Sequence, residues 1–174
     1  LSSWGMVVFS PTANAAGSHA ATTTSEAVTG QVRNDLGQCL TSKDPKGEDG
    51  TPVWNANCSG DADAQTVAYE DGHLRIGDRC VDVVGGYTDE GTVAHMWTCY
   101  PALESQMWDI NGSGQLVNRA SGLCLTIPGD TTRDATQAVI SQCSDSSTSP
   151  RWTLTANSGQ TLPFLSSPAR AQPG

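Results

Sequence analysis

Residues 80–108 read CVDVVGGYTDEGTVAHMWTCYPALESQMW, and the same frame recurs on either side of this stretch. Laid from each first cysteine, Cys39 to Val67, Cys80 to Trp108 and Cys124 to Trp152 align without a gap. The six cysteines fall at 39, 58, 80, 99, 124 and 143, so each successive pair is 19 residues apart. The pairs recur with a period of about 40–45 residues, in the range where internal repeats define an architecture. Agreement extends beyond cysteine. The residue after the first Cys is Leu40, Val81 or Leu125, and Thr51, Thr92 and Thr136 align, preceded by Gly50, Gly91 and Ala135. Each repeat opens on a glycine and a strand-like start: Gly30-Gln31-Val32, Gly72-His73-Leu74 and Gly114-Gln115-Leu116.

Six cysteines allow 15 pairings, but a repeat whose shared chemistry is a Cys pair should close on itself, giving Cys39–Cys58, Cys80–Cys99 and Cys124–Cys143. Closing a loop of that size is worth about 3 kcal/mol in the chain-entropy model, a useful gain for a fold with few large apolar residues. Zinc is the alternative reading, but it needs ligands at close spacing, and there is neither a C-x-x-C nor a nearby His pair; no metal or other cofactor is expected. Persistent disulfides point to an oxidising compartment.

The chain carries 18 Asp+Glu against 9 Lys+Arg, a net charge of −9, with its basic residues scattered singly. A phosphate-tracking surface needs clustered Lys and Arg, so neither nucleic acid nor an anionic membrane is an expected partner. No apolar run approaches the roughly 18 residues of a membrane-spanning helix. Gly, Ser, Thr, Asp and Asn dominate, which suits short strands joined by turns. Period-2 alternation puts Met96 and Ile140 on the face opposite His95 and Trp97, and Val81, Val83, Leu125 and Ile127 on the face opposite Asp82 and Thr126. The first set is the expected core. Asn55 takes the place of Met96 and Ile140 in the first repeat, where a weaker inward contact is expected. Three such units, none able to bury its face alone, predict an all-β, threefold, barrel-like domain with one disulfide per repeat.

Three segments follow. Residues 1–29 read as a truncated signal-like leader: an apolar stretch, Trp4 to Phe9, precedes Pro11 and the A-x-A of Ala13-Asn14-Ala15. Residues 30–156 form the domain, in repeats of about 30–70, 71–112 and 113–156, and residues 157–174 read as a flexible Pro/Ser-rich tail. Leader and disulfides together predict secretion.

Near the end of each repeat, in register, stand Gln65-Thr66-Val67, Gln106-Met107-Trp108 and Pro150-Arg151-Trp152, of which the middle is a full Q-x-W. With the cysteine register, this pattern resembles the ricin B-type lectin family, whose fold is a β-trefoil of three Q-x-W repeats. The resemblance covers residues 30–156 and implies twelve strands, with Trp108 and Trp152 as core pillars and Val67 as their smaller counterpart. It also implies a sugar site in each competent repeat. That site uses an acid two residues after the first Cys, an aromatic two residues before the second, and polar groups four residues before it and just before Q-x-W. Only the middle repeat qualifies, with Asp82, Trp97, His95 and Ser105, next to Gln106. The first holds Thr41, Ala56 and Trp54, and the third Thr126, Ser141 and Val139, so both outer sites read as dead.

Physical chemistry supports the middle site independently. A carboxylate accepts charge-assisted hydrogen bonds from two vicinal sugar hydroxyls at once, the part assigned to Asp82. An indole offers a flat face to the C–H side of a pyranose, the part assigned to Trp97. His95 and Ser105 would add orienting hydrogen bonds. Blander readings stand beside these. Asp82 can serve a turn, Trp97 can be core, and Gln106 can be structural. His19 and His73 read as exposed bystanders, Trp54 as a rim or surface aromatic, and Asp61, Asp63, Asp89 and Glu90 as solvated turn charges with calcium as a remote alternative.

The expected function is that of a secreted, monomeric, non-enzymatic lectin for a pyranose such as galactose or a plant or microbial polysaccharide. Two alternatives remain open: a polysaccharide-binding module assisting a glycoside hydrolase, and a trefoil protease inhibitor. An enzyme is disfavoured because glycoside hydrolysis needs two fixed carboxylates about 5–9.5 Å apart, whereas the counterparts of Asp82 are threonines. Nor is there a G-x-S-x-G or H-E-x-x-H motif.

Overall fold

A computed structural model describes residues 27–59, 62–145, 151–157 and 161–162. The first repeat contributes β1 (Val28–Asn34), β2 (Gln38–Ser42), β3 (Thr51–Asn57) and β4 (Val67–Glu70), with a single helical turn, α1 (Ala62–Gln65), before β4. The second contributes β5 (His73–Ile76), β6 (Arg79–Val83), β7 (Ala94–Thr98) and β8 (Trp108–Ile110). The third contributes β9 (Leu116–Asn118), β10 (Cys124–Thr126), β11 (Thr136–Gln137), β12 (Val139–Ser141) and β13 (Trp152–Ala156), followed by β14 (Thr161–Leu162). The expected twelve strands are recovered if β11 and β12 are one strand broken at Ala138 and β14 is an addition to the trefoil. That residue leaves the ladder to donate its N–H to Val53 O at 2.9 Å and accept the N–H of Ala94 at 2.8 Å, joining all three repeats at one point.

Every strand pairing is antiparallel, and the barrel closes where β1 pairs with β13, from Gly30 opposite Ala156 to Asn34 opposite Trp152. The other end of β1 pairs with β4, Val28 opposite Tyr69. Two boundaries differ from those read in the sequence. The first strand begins at Val28 rather than 30, because Val28 and Thr29 continue the ladder with β4. Residues 157–174 are not wholly a tail, because Thr161 and Leu162 pair with Thr155 and Leu154 as β14. Residues 1–26 of the leader, Pro150, and 163–174 of the tail lie outside the described residues.

The three disulfides join the two cysteines of each repeat, Cys39–Cys58, Cys80–Cys99 and Cys124–Cys143. Each ties the start of the second strand to the loop after the third. The core obeys the threefold pattern: Leu40, Val81 and Leu125 are buried together with Val67, Trp108 and Trp152, and the remaining inward residues, Met96 and Ile140 among them, join the same cluster. The two tryptophans do more than fill space. Trp108 Nε1 donates to Val81 O at 3.0 Å and Trp152 Nε1 to Leu125 O at 2.9 Å, so each indole satisfies its one polar atom on the strand that follows the first Cys of its repeat.

Asn55 corrects the expectation of a weaker inward contact in the first repeat. It is fully buried, and its amide is engaged throughout: Nδ2 donates to Gln38 Oε1 at 2.8 Å and Thr131 O at 3.0 Å, while Oδ1 accepts the N–H of Thr136 at 3.2 Å. A buried amide with all partners supplied stitches the first repeat to the third by hydrogen bonds rather than by packing.

Neighbouring repeats are also joined by acids at equivalent positions. Asp49 accepts the backbone N–H of Thr98 at 2.7 Å, Glu90 accepts the Ser141 hydroxyl at 2.7 Å, and Asp134 accepts the backbone N–H of Asn57 at 2.8 Å. The first repeat thus holds the second, the second the third, and the third the first. The next residue crosses the same seams, with Gly50 N donating to Met96 O, Gly91 N to Ile140 O and Ala135 N to Asn55 O. All three have positive φ, at 92°, 86° and 59°. Glycine suits that conformation at two of the positions, and alanine is strained at the third. The reading of Asp89 and Glu90 as solvated turn charges is corrected for Glu90, which is one of these links.

Candidate functional site

The middle-repeat residues converge because β6 and β7 are adjacent. Cys80 lies opposite Trp97 and Asp82 opposite His95, and directly paired residues share a face, so Asp82, His95 and Trp97 project on one side of the sheet. Ser105 and Gln106 arrive on a 3₁₀ turn, Glu104–Gln106, that sits against β6. The turn after β6 completes the wall, where Gly86 approaches Ser105. Gly85, at φ 62°, leaves room for the Tyr87 ring, which a Cβ there would strike.

The outward face is more covered than strand parity suggests. Asp82 is only 5% exposed and His95 7%, while Trp97 is half-buried. Loop and turn residues form a second layer over the sheet. The imidazole of His95 stacks against the Trp97 indole with ring centroids 5.1 Å apart and planes 21° from parallel, so it occupies part of the surface assigned to a sugar platform.

Asp82 Oδ2 accepts from Gln106 Nε2 at 3.4 Å, and His95 Nε2 stands 3.7 Å away, a charge-to-dipole distance rather than a hydrogen bond. Asp82 Oδ1 and His95 Nε2 are both buried without a hydrogen-bond partner among the described residues. Burial pushes the Asp82 carboxyl up, but the donor groups of His95, Ser105 and Gln106 around it pull further in the other direction, leaving it below the ordinary value of 3.8. The group is an anion at neutral pH with an unfilled acceptor.

Gln106 is fully engaged within the protein. Its Oε1 accepts the N–H of Tyr100 at 2.8 Å, and its Nε2 donates to Thr98 O at 2.9 Å as well as to Asp82. Gln65 repeats the pattern in the first repeat: Oε1 accepts the N–H of Ser59 at 2.9 Å, and Nε2 donates to Asn57 O at 2.8 Å and Thr41 Oγ1 at 3.2 Å. In both repeats the glutamine at the first position of the Q-x-W triplet, Gln65 in Gln-Thr-Val and Gln106 in Gln-Met-Trp, pins the loop after the second Cys and reaches the residue two after the first. In the middle repeat that residue is the site carboxylate, so Gln106 orients Asp82.

The outer repeats place their substitutes without site chemistry. Thr41 donates to Cys39 O at 2.9 Å and Thr126 to Cys124 O at 3.1 Å, each turned back onto its own strand. Trp54 is half-buried between Thr41 and Gln137 on neighbouring strands. A cleft of about 560 Å³ persists over the third repeat, lined by Thr126, Val139, Ser141 and Asp130 among others. It has no acid at the position of Asp82 and no aromatic at that of Trp97, although Glu90 and Asp130 line it. His73, expected to be exposed, is buried with Nε2 3.3 Å from Tyr100 O; His19 and Asp61 lie outside the described residues. The links made by Asp49, Glu90 and Asp134 escaped the sequence reading. The signal was an acid ten residues after the first Cys of every repeat.

A family model described as the ricin-type β-trefoil lectin domain matches residues 28–152. Among solved structures, a designed threefold-symmetric protein, ThreeFoil, superposes with a TM-score of 0.61 at 22% identity, covering 71% of this chain and 96% of that one. A non-toxic homologue of type II RIPs from Momordica charantia (bitter gourd), solved in complex with α-methyl-D-galactoside, gives 0.65 at 19% identity over 75% of this chain and 48% of that one. The agglutinin from Abrus precatorius gives 0.63 at 20% over 73% and 48%. The match thus spans about half the length of the two plant chains. No curated protein matches by sequence. These likenesses establish the β-trefoil fold, and the family match over most of the barrel completes the assignment: the chain belongs to the ricin-type β-trefoil lectin domain family, whose members are carbohydrate-binding.

Proposed function

We propose that this domain is a secreted lectin that binds a pyranose through its middle repeat alone, without catalysing a reaction. The observation that carries the proposal is the unfilled acceptor Asp82 Oδ1, buried beside the unfilled His95 Nε2 and next to Trp97. An unpartnered buried carboxylate oxygen is costly, and a ligand hydroxyl supplies the missing donor. Entry requires His95 to swing off Trp97, which frees both the indole face and the carboxylate. Galactose is the favoured sugar. The galactoside complex of the bitter gourd homologue supports that choice, and three disulfides support an oxidising, extracellular setting.

One shallow site with one carboxylate and one stacking face should bind with a dissociation constant around the millimolar range, on the order of −4 to −5 kcal/mol. Titration against galactose, lactose and xylo-oligosaccharides tests the sugar. A preference for xylo-oligosaccharides would favour the alternative of a module assisting a polysaccharide hydrolase. A glycan array set beside a protease inhibition assay tests the class, and inhibition without glycan binding would overturn the lectin reading. The domain should not agglutinate cells as a monomer, since avidity gains of roughly 10²–10⁴ need a second linked site.

A further inference from the structure

We infer that the ligand is at least a disaccharide, and that its second ring lies in a groove beside the Cys80–Cys99 disulfide, on the edge of the site away from Asp82. The inference rests on the middle-repeat reading and deepens it. Arg75, Cys80 and Trp97 stand in one cross-strand row of β5, β6 and β7, so the Arg75 and Trp97 side chains share a face with the small Cys80 between them. Two strand spacings separate their backbones, about 10 Å, which is the span of a disaccharide. The depression above Cys80 is a groove of about 230 Å³ lined by Glu70, Asp71, His73, Arg75 and both cysteines of the disulfide. That is smaller than the roughly 300–1,000 Å³ of sites for drug-sized ligands and suits a single ring.

The chemistry of the groove fits a neutral sugar. Arg75 is exposed and its guanidinium has no hydrogen-bond or ion-pair partner among the described residues, so its donors are available. Glu70 and Asp71 supply acceptors. Glu70 and Arg75 share one face of the β4–β5 hairpin, so donors and acceptors stand together and match hydroxyls, which both give and take hydrogen bonds, while the excess of acid disfavours a uronate. His73 fixes the floor by its contact with Tyr100 O.

A separate observation concerns the extent of the contact surface. The exposed large apolar side chains among the described residues are Tyr87 (62%), Tyr100 (51%) and Leu103 (38%). Tyr100 and Leu103 stand in the loop from Cys99 to Ser105, of which Cys99 and Pro101 line the groove, while Tyr87 lies at the opposite, Asp82 end of the site. Apolar groups left in solvent around one site mark a contact surface larger than a single ring covers.

The test is a calorimetric titration of the intact protein with a monosaccharide, its β-1,4 dimer and its trimer, in both the galactose and the xylose series. In the series that binds, the dimer should exceed the monomer by at least about tenfold, with little further gain from the trimer. Arg75→Ala and Tyr100→Ala should each reduce the dimer-to-monomer ratio towards one, and circular dichroism would show both variants folded. A dimer no tighter than its monomer, or a ratio unchanged by both variants, would overturn the second ring while leaving the Asp82 site standing. Failure of every probe to bind the wild type would sink both.

Discussion

The Asp49 carboxylate accepts both the backbone N–H of Thr98, at 2.7 Å, and the Thr98 hydroxyl, at 3.0 and 3.1 Å, across 49 residues of chain, and Arg79 Nε approaches it at 3.2 Å. Asp134 does the same work on Asn57, accepting its N–H and its Nδ2 at 3.1 Å. Charge-assisted bonds to backbone donors are the stronger kind, but partial exposure reduces them. Asp49→Ala and Asp134→Ala should each cost about 1–2 kcal/mol and lower Tm by about 3–6 °C. Thermal denaturation checks this, and no change in either variant would reduce the links to incidental contacts.

Sugar binding should depend on the middle repeat. Asp82→Ala and Trp97→Ala should each abolish measurable binding, while Thr41→Ala and Thr126→Ala should alter it less than about twofold. Isothermal titration of the four variants decides the matter, and equal losses in all four would mean that the outer repeats bind as well.

Acid should act on the fold partly through Asp82. Its carboxyl lies below 3.8 in the folded protein, so its contribution to stability is fully present above that value and fades as pH falls through the lower folded one. The stability advantage of wild type over Asp82→Asn should therefore be constant from neutral pH down to about pH 5 and shrink below about pH 4. Urea denaturation of both proteins across that range measures it, and an advantage that grows on acidification would contradict the direction of the shift.

Ala135 has φ 59° where its threefold counterparts are Gly50 and Gly91. A left-handed conformation costs a non-glycine residue about 1–2 kcal/mol, and glycine returns about 0.4–1 kcal/mol of that as extra freedom in the unfolded chain. Ala135→Gly should stabilise the protein by up to about 1 kcal/mol, read as a higher urea midpoint at unchanged slope. A lower midpoint would mean that the methyl group packs usefully.

What was legible in the sequence was whatever repeats. The cysteine spacing fixed the disulfides, and the alternation around Met96 and Ile140 identified the core row, because both depend on neighbours within one repeat. The covering of Asp82 and His95 was not legible, since parity assigns a side of the sheet and says nothing of the turns that fold over it. Asn55 misled for a related reason. Its partners Thr131 and Thr136 lie in another repeat, so a residue that reads as a packing defect locally is a satisfied junction in the closed barrel. The sequence leaves Gln106 open between ligand and scaffold, and Gln65, beside a threonine in place of Asp82, holds the equivalent loop of the first repeat by the same bonds.

The seam between β1 and β13 sets an order of events for the chain as it is made. Each disulfide is enclosed within one repeat, so it can oxidise as soon as its own loop has emerged, at modest loop-closure cost. Of the ladder from Gly30 to Asn34, Gly30 and Arg33 also pair within the first repeat, with Val67 and Cys39, but the edge that faces β13 has no partner until Trp152–Ala156 has been synthesised. Until then the early repeats wait with one strand edge unpaired, the condition under which β chains pair with the wrong neighbour. Closure of that edge therefore depends on residues 152–156 rather than on the cysteines.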